Sequence, residues 1–180
     1  MDFSLTSEQK MFRDTMYRYG RDEIAPLCEE ADLNGEFSFE IWKKLGEMGI
    51  LGLPVPEELG GSGADIVTCC LAGEALAHAG VDGGSLLAWG AHTYLCACNI
   101  LYFGTDEQKL NYIPRLASGE WIGCMGLTEP GSGSDAASMR TTAVKKGDRY
   151  ILNGSKTFIT NAPVADVFLI FANADRSKKH

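Results

Sequence analysis

The sequence has little that could hold a metal. There are only three histidines, and none of the six cysteines (Cys28, Cys69, Cys70, Cys96, Cys98, Cys124) forms a C-x-x-C pair or stands at zinc-ligand spacing from a histidine. No bound metal is expected. Most of the cysteines fall within apolar helical patterns, where buried, reduced thiols of a cytoplasmic protein are the ordinary outcome. No unbroken apolar run approaches the roughly 18 residues a membrane span needs. Met1-Asp2-Phe3-Ser4-Leu5-Thr6 has neither a basic start nor an apolar core, so no signal peptide is expected. A basic excess is also missing. The formal net charge of -8 argues against nucleic acid as the main partner.

What is present suits a soluble globular chain of one or two domains: 180 residues, 45% hydrophobic and 22% charged. The charge is unevenly placed. The first 120 residues carry 8 Lys and Arg against 19 Asp and Glu, and the last 60 carry 8 against 5. An anionic ligand could be accommodated where the two parts meet, although ordinary solvated faces give the same count.

Up to Gly119 the pattern is helical. Thr6-Ser7-Glu8-Gln9 reads as a capping box, with Phe12, Met16, Tyr19 and Ile24 following at helical spacing until Pro26 bends or ends the segment. Ser38 is the next N-cap, ahead of Ile41, Trp42, Leu45 and Met48, with Gly49 near the stop. Two prolines and three glycines between Leu53 and Gly63 predict a loop. Asp65 opens a third helix that runs to Gly80. A fourth spans about Ser85 to Phe103 and is apolar nearly all round, which suits an interior or the floor of a ligand site. Thr105-Asp106-Glu107-Gln108 is a second capping box, opening a shorter helix through Leu110 and Ile113.

After Gly119 the period becomes extended. Trp121–Thr128, Met139–Lys145, Tyr150–Lys156 and Val167–Ala174 are predicted strands, with Lys146-Gly147-Asp148 as a hairpin turn. The fold class is α+β: a helical domain over 1–119, then the start of a β domain over 120–180. Four short strands in a thin sheet leave unpaired edges, so more chain is expected to follow.

Two segments carry the chemistry. Leu127-Thr128-Glu129-Pro130-Gly131-Ser132-Gly133-Ser134-Asp135 and Asn153-Gly154-Ser155-Lys156-Thr157-Phe158-Ile159-Thr160-Asn161 each read as a strand ending in a small-residue loop. Exposed hydroxyls and backbone N–H groups suit a flat, phosphate-bearing cofactor, and glycines let the backbone approach it. Taken alone, such a Gly/Ser loop between strands is usually only a turn.

The array as a whole resembles the N-terminal part of an acyl-CoA dehydrogenase. The resemblance rests on both segments and on Asp2-Phe3-Ser4-Leu5-Thr6, Leu45-Gly46-Glu47-Met48-Gly49-Ile50, Pro56-Glu57-Glu58-Leu59-Gly60-Gly61 and Gly104-Thr105-Asp106-Glu107-Gln108-Lys109, in order. It implies an all-helical N-terminal domain followed by an incomplete β-barrel-like middle domain. A C-terminal four-helix bundle is expected but is not within this sequence. The resemblance further implies FAD. Met125, Gly126 and Leu127 would line the flavin, and Thr128 would bond its pyrimidine edge. Ser134 would sit near the pyrophosphate and the acyl-CoA, Phe158 would cover a ring face, Thr160 would bond near N5, and Ile159 would belong to the cofactor-binding set. Leu87, Ala91 and Leu95 resemble the helix face that lines the acyl chain, with His92 and Tyr94 nearby as polar candidates. A lone histidine on such a helix is more often a packed, hydrogen-bonded residue.

The implied reaction is α,β-dehydrogenation of an acyl-CoA thioester in fatty acid metabolism, with electrons passed to an electron-transfer flavoprotein and a homotetramer or dimer as the assembly. The base that takes the α-proton must be tuned by burial, and the carbonyl oxygen must be stabilised as charge develops on it. That base is a Glu expected beyond His180, and no catalytic residue is assigned within the chain. Glu129 is structural in the family. Two departures stand out: Phe158 replaces a common Trp, preserving an aromatic wall, and Ala162-Pro163 replaces Gly-Gly. An acyl-CoA oxidase on the same scaffold, or a non-catalytic subunit binding FAD or acyl-CoA, would use the same residues.

Overall fold

Helix starts follow the capping residues closely. In the computed structural model, which describes residues 4–175, the Thr6 hydroxyl accepts the Gln9 N–H at 3.1 Å while Gln9 Oε1 accepts the Thr6 N–H at 3.1 Å, opening α1 (Ser7–Tyr19). Asp2 and Phe3 of the opening motif lie outside the described residues. The segment does not end at Pro26. A π-helical turn, Gly20–Ile24, leads into α2 (Ala25–Asn34), and Pro26 falls in its first turn, where a missing N–H costs no hydrogen bond.

Ser38 Oγ caps α3 (Phe39–Glu47), whose Ile41, Trp42 and Leu45 turn inward. Asp65 caps α4 (Ile66–His78), which packs on α1. The fourth helix starts earlier than Ser85, because Asp82 Oδ1 accepts the Ser85 N–H at 2.8 Å as the N-cap of α5 (Gly83–Gly90). It continues through a π-helical stretch, Ala91–Ala97, into α6 (Cys98–Phe103). The resulting 21-residue rod is long and apolar enough, by length and composition alone, to cross a membrane. Counting unbroken apolar runs missed this, because isolated Gly, His and Asn residues interrupt a run without lowering mean hydropathy much. In this fold His92 and Thr93, at the middle of the rod, are fully buried. It is nevertheless one-sided: Leu87, Leu95, Tyr102 and Phe103 are exposed. The second capping box opens α7 (Asp106–Ser118).

The four predicted strands form two separate two-stranded sheets. β1 (Gly123–Gly126) runs parallel to β4 (Val167–Ile170), with Gly123 opposite Val167. β2 (Thr142–Lys146) and β3 (Arg149–Asn153) form the antiparallel hairpin, turning at Gly147, whose φ of +66° glycine adopts without strain. Adjacent strands in sequence pair across a tight turn. A parallel pair needs a long crossover, which here is everything between β1 and β4. Asn173 links the sheets, accepting the Ala143 N–H and donating its own to Thr141 O. No closed barrel exists among the described residues, and β3 is exposed along its whole length.

The main core gathers Met16, Ile24, Trp42, Leu45, Leu51, Leu76 and Trp89, and a second cluster joins Val55 and Ala97 to Ile113 and Leu116 of α7. All six cysteines are free. Five are buried, and Cys70 is exposed on α4.

Candidate cofactor and substrate site

Beyond β1 the chain enters Leu127-Thr128-Glu129, and Glu129 goes inward. Its carboxylate accepts the Arg140 N–H at 2.6 Å, the Thr141 N–H at 2.9 Å and Lys156 Nζ at 2.9 Å. Bonds from Thr141, then Arg140, then Lys156 hold its pKa down to about 2. Lys156 also donates to Leu127 O at 2.8 Å. A carboxylate so fully engaged is a strut and has no capacity to take a substrate proton at neutral pH.

The strut brings the two motif segments side by side. The Thr157 N–H donates to Thr128 O at 3.0 Å, and the Phe171 N–H donates to Gly126 O at 3.0 Å. Met125 pairs with Leu169 across β1 and β4. Met125, Leu127, Thr128, Ile159 and Thr160 are half-buried, and Gly126 is buried. The next loop closes through reciprocal backbone bonds between Glu129 and Ser132, while Ser132 Oγ donates to Asp135 O. Ser134 stands in its exposed outer part, and a Cβ at Gly131 or Gly133 would meet nothing within 4 Å.

Phe158 is 92% exposed with φ at +56°, in the left-handed region that an aromatic residue rarely occupies. Three residues later Asn161 also has positive φ, +70°, but is buried. Its side-chain N–H groups donate to Ala88 O at 2.9 Å and Gly123 O at 3.1 Å. Ala162 and Pro163 take part in an ordinary turn, closed by the Ala162 N–H on Ile159 O and the Val164 N–H on Asn161 O.

Of the expected acyl-lining residues, Leu87 reaches a cavity of about 560 Å³ shared with Trp42, Leu45, Ala88, Thr160 and Asn161. Ala91 and Leu95 do not line it. Ala91 is buried in the core at 3% exposure, and Leu95 is 43% exposed on the π-helical stretch. His92 does not supply polar selectivity, because both ring nitrogens are used internally. Nδ1 accepts the Gly123 N–H at 2.9 Å, and Nε2 donates to Leu116 O at 2.9 Å. Trp42 meets it edge-on at 4.8 Å, and burial pushes its pKa down to about 4. Tyr94 packs against Trp89.

Lys156 and Asn161 were not singled out in the sequence, although both lie inside the second motif. A lysine among small polar residues reads as solvated. Asn161 carried one usable signal: asparagine is enriched at positive φ and as a buried backbone clamp.

Comparison with known proteins follows this division. Residues 6–120 match "Acyl-CoA dehydrogenase, N-terminal domain" and residues 124–180 match "Acyl-CoA dehydrogenase, middle domain". An acyl-CoA dehydrogenase of Bacillus subtilis (strain 168) is 48% identical over 168 residues, covering 93% of this chain and 44% of the relative. A chain of the structure "Electron transferring flavoprotein of Acidaminococcus fermentans: Towards a mechanism of flavin-based electron bifurcation" superposes with a TM-score of 0.91 at 45% identity, over 98% of this chain and 46% of that one. PigA solved with FAD and proline gives 0.94 at 35% identity, over 99% and 46%. The chain thus spans less than half the length of the relatives it matches.

Proposed function

The chain belongs to the acyl-CoA dehydrogenase family, and from that premise we propose that it forms the helical and flavin-facing part of an FAD-dependent enzyme that oxidises an acyl-CoA thioester between its α and β carbons. The observation that carries this reading is the juxtaposition of the two motif segments, Thr157 bonding Thr128 across the Glu129–Lys156 strut. The residues present fit FAD. Phe158 holds an exposed aromatic face in a strained backbone, and Gly131 and Gly133 leave room for a phosphate to approach. The hydroxyls of Thr128, Ser134 and Thr160 form no hydrogen bond among the described residues.

FAD, when bound, supplies the hydride acceptor. The chain's own residues bind and orient. In this reading Met125, Gly126 and Leu127 line the flavin through backbone groups, Thr128 bonds its pyrimidine edge, Thr160 bonds near N5 with Ile159 beside it in the cofactor-binding set, and Phe158 covers a ring face. Ser134 adjoins the pyrophosphate, and Leu87 borders the acyl group. Glu129 is already saturated and does not take the α-proton, which in this reading goes to the Glu that the family resemblance places beyond His180. Stabilising charge on the thioester carbonyl oxygen lowers the cost of that proton loss.

The same proposal extends to a cytoplasmic homotetramer or dimer, and its delivery of electrons to an electron-transfer flavoprotein is supported by the likeness to the Acidaminococcus fermentans structure. The test is the anaerobic visible spectrum of the full-length protein before and after adding acyl-CoA thioesters of differing length and branching. Bleaching of bound flavin is expected. Flavin that stays oxidised with every thioester overturns the reading, and rapid reoxidation of bleached flavin by air identifies an oxidase instead.

A further inference from the structure

Gly123, the first residue of β1, is held at the peptide groups on both its sides. His92 Nδ1 accepts its N–H at 2.9 Å, and Asn161 Nδ2 donates to its C=O at 3.1 Å. The second hydrogen of the same Asn161 amide goes to Ala88 O at 2.9 Å, one residue along α5 from Leu87. Ala88, His92, Gly123 and Asn161 are all buried, so these bonds form away from competing water. One amide therefore ties three elements: the acyl-side helix, the strand leading to Thr128, and the loop of Phe158 and Thr160. Asn161 does so at φ +70°, a backbone state that fixes the direction of the loop immediately after Thr160.

We propose that Asn161 is a positioning residue that sets the separation between the flavin-facing loop Phe158–Thr160 and the acyl-facing side of α5, an assignment resting on the flavin reading above. Two carbonyl oxygens converge on one point, and a short side chain with two N–H donors satisfies both. Aspartate has the same shape and tolerates the same φ, but it would present oxygen to both carbonyls. Glycine keeps the left-handed backbone and supplies no donor.

The test compares Asn161→Gly and Asn161→Asp with the unmodified full-length protein. Hydrogen exchange is read on the flavin-free protein, and anaerobic flavin reduction on the loaded one. Exchange across residues 157–162 is expected to rise roughly tenfold while α4 and α7 keep their protection. Flavin reduction is expected to slow about 10- to 100-fold, with KM changing less than about threefold, as misplacement of reacting groups predicts. Either variant reducing flavin at the unmodified rate overturns the assignment. Exchange rising equally through α4 and α7 also overturns it, because that marks Asn161 as a general structural residue. If the unmodified protein fails to bleach with any thioester, the functional reading fails on its own account. The exchange pattern then still decides whether Asn161 fixes the loop.

Discussion

Lys156 Nζ lies 2.9 Å from Glu129 Oε1 with the two side chains only 10% and 6% exposed, and this nearly dry pair fastens the second motif segment to the first. Removing one partner of such a pair strands the other charge, and that loss exceeds what the pair itself contributes. Glu129→Gln is therefore expected to lower the melting temperature at pH 7. Glutamine offers one acceptor oxygen to two backbone N–H groups and no charge to Lys156.

The same carboxylate predicts a pH profile. Its pKa falls from 4.5 to about 2 on folding, so the unfolded chain takes up the proton first. The stability it contributes is complete above about pH 4.5 and is lost as pH falls through about 2. Urea midpoints between pH 6 and pH 2 should show this acid loss in the unmodified protein and a flatter limb in Glu129→Gln.

His92 titrates in a different window. Burial moves its pKa from 6.5 to about 4, and the Leu116 carbonyl offsets only part of that shift. The unfolded state again binds the proton first, so stability falls as pH drops from about 6.5 through about 4, by on the order of 3 kcal/mol. His92→Ala should remove this step. It should also cost about 2–4 kcal/mol at pH 7, because the Gly123 N–H and Leu116 O lose their buried partner. Chemical denaturation of both proteins at pH 7, 5.5 and 4.5 checks both statements.

Phe158 separates stability from function. It packs on almost nothing and holds positive φ, so Phe158→Gly should stabilise the fold by about 1 kcal/mol. In the full-length protein the same change should weaken flavin retention, measured by released flavin fluorescence. A variant that is both more stable and equally tight for flavin would remove Phe158 from the site.

Gly46 tests the packing of α3 against α7. A Cβ there would stand 2.7 Å from Ser118 O, a backbone atom that cannot rotate away. Gly46→Ala should cost about 1–3 kcal/mol by overpacking. Thermal unfolding within experimental error of the unmodified protein would mean that the α7 terminus moves freely.

Helix boundaries were legible because their causes are local. Thr6, Ser38, Asp65 and Thr105 each cap a helix through a bond to a residue three positions on. The hairpin at Gly147 was readable for the same reason. Pairing of β1 with β4 was not, because their partners stand 44 residues apart and nothing local distinguishes one apolar strand from another. The site divides in the same way. Thr128, Phe158 and Thr160 were singled out through motif order, whereas nothing local in the sequence told that Ala91 turns into the core while Leu87 stays exposed.

The sequence by itself determined where α1, α3, α4 and α7 begin, where the period changes from helical to extended, and which family the motifs match. These depend on interactions within a few residues or on residue order alone. Only the tertiary structure decided that Glu129 is a saturated strut, that His92 spends both nitrogens on the backbone, and that Asn161 joins three elements. The physical reason is that a buried polar group must find its partner wherever the fold places one, and for these residues most partners lie 11 to 73 positions away.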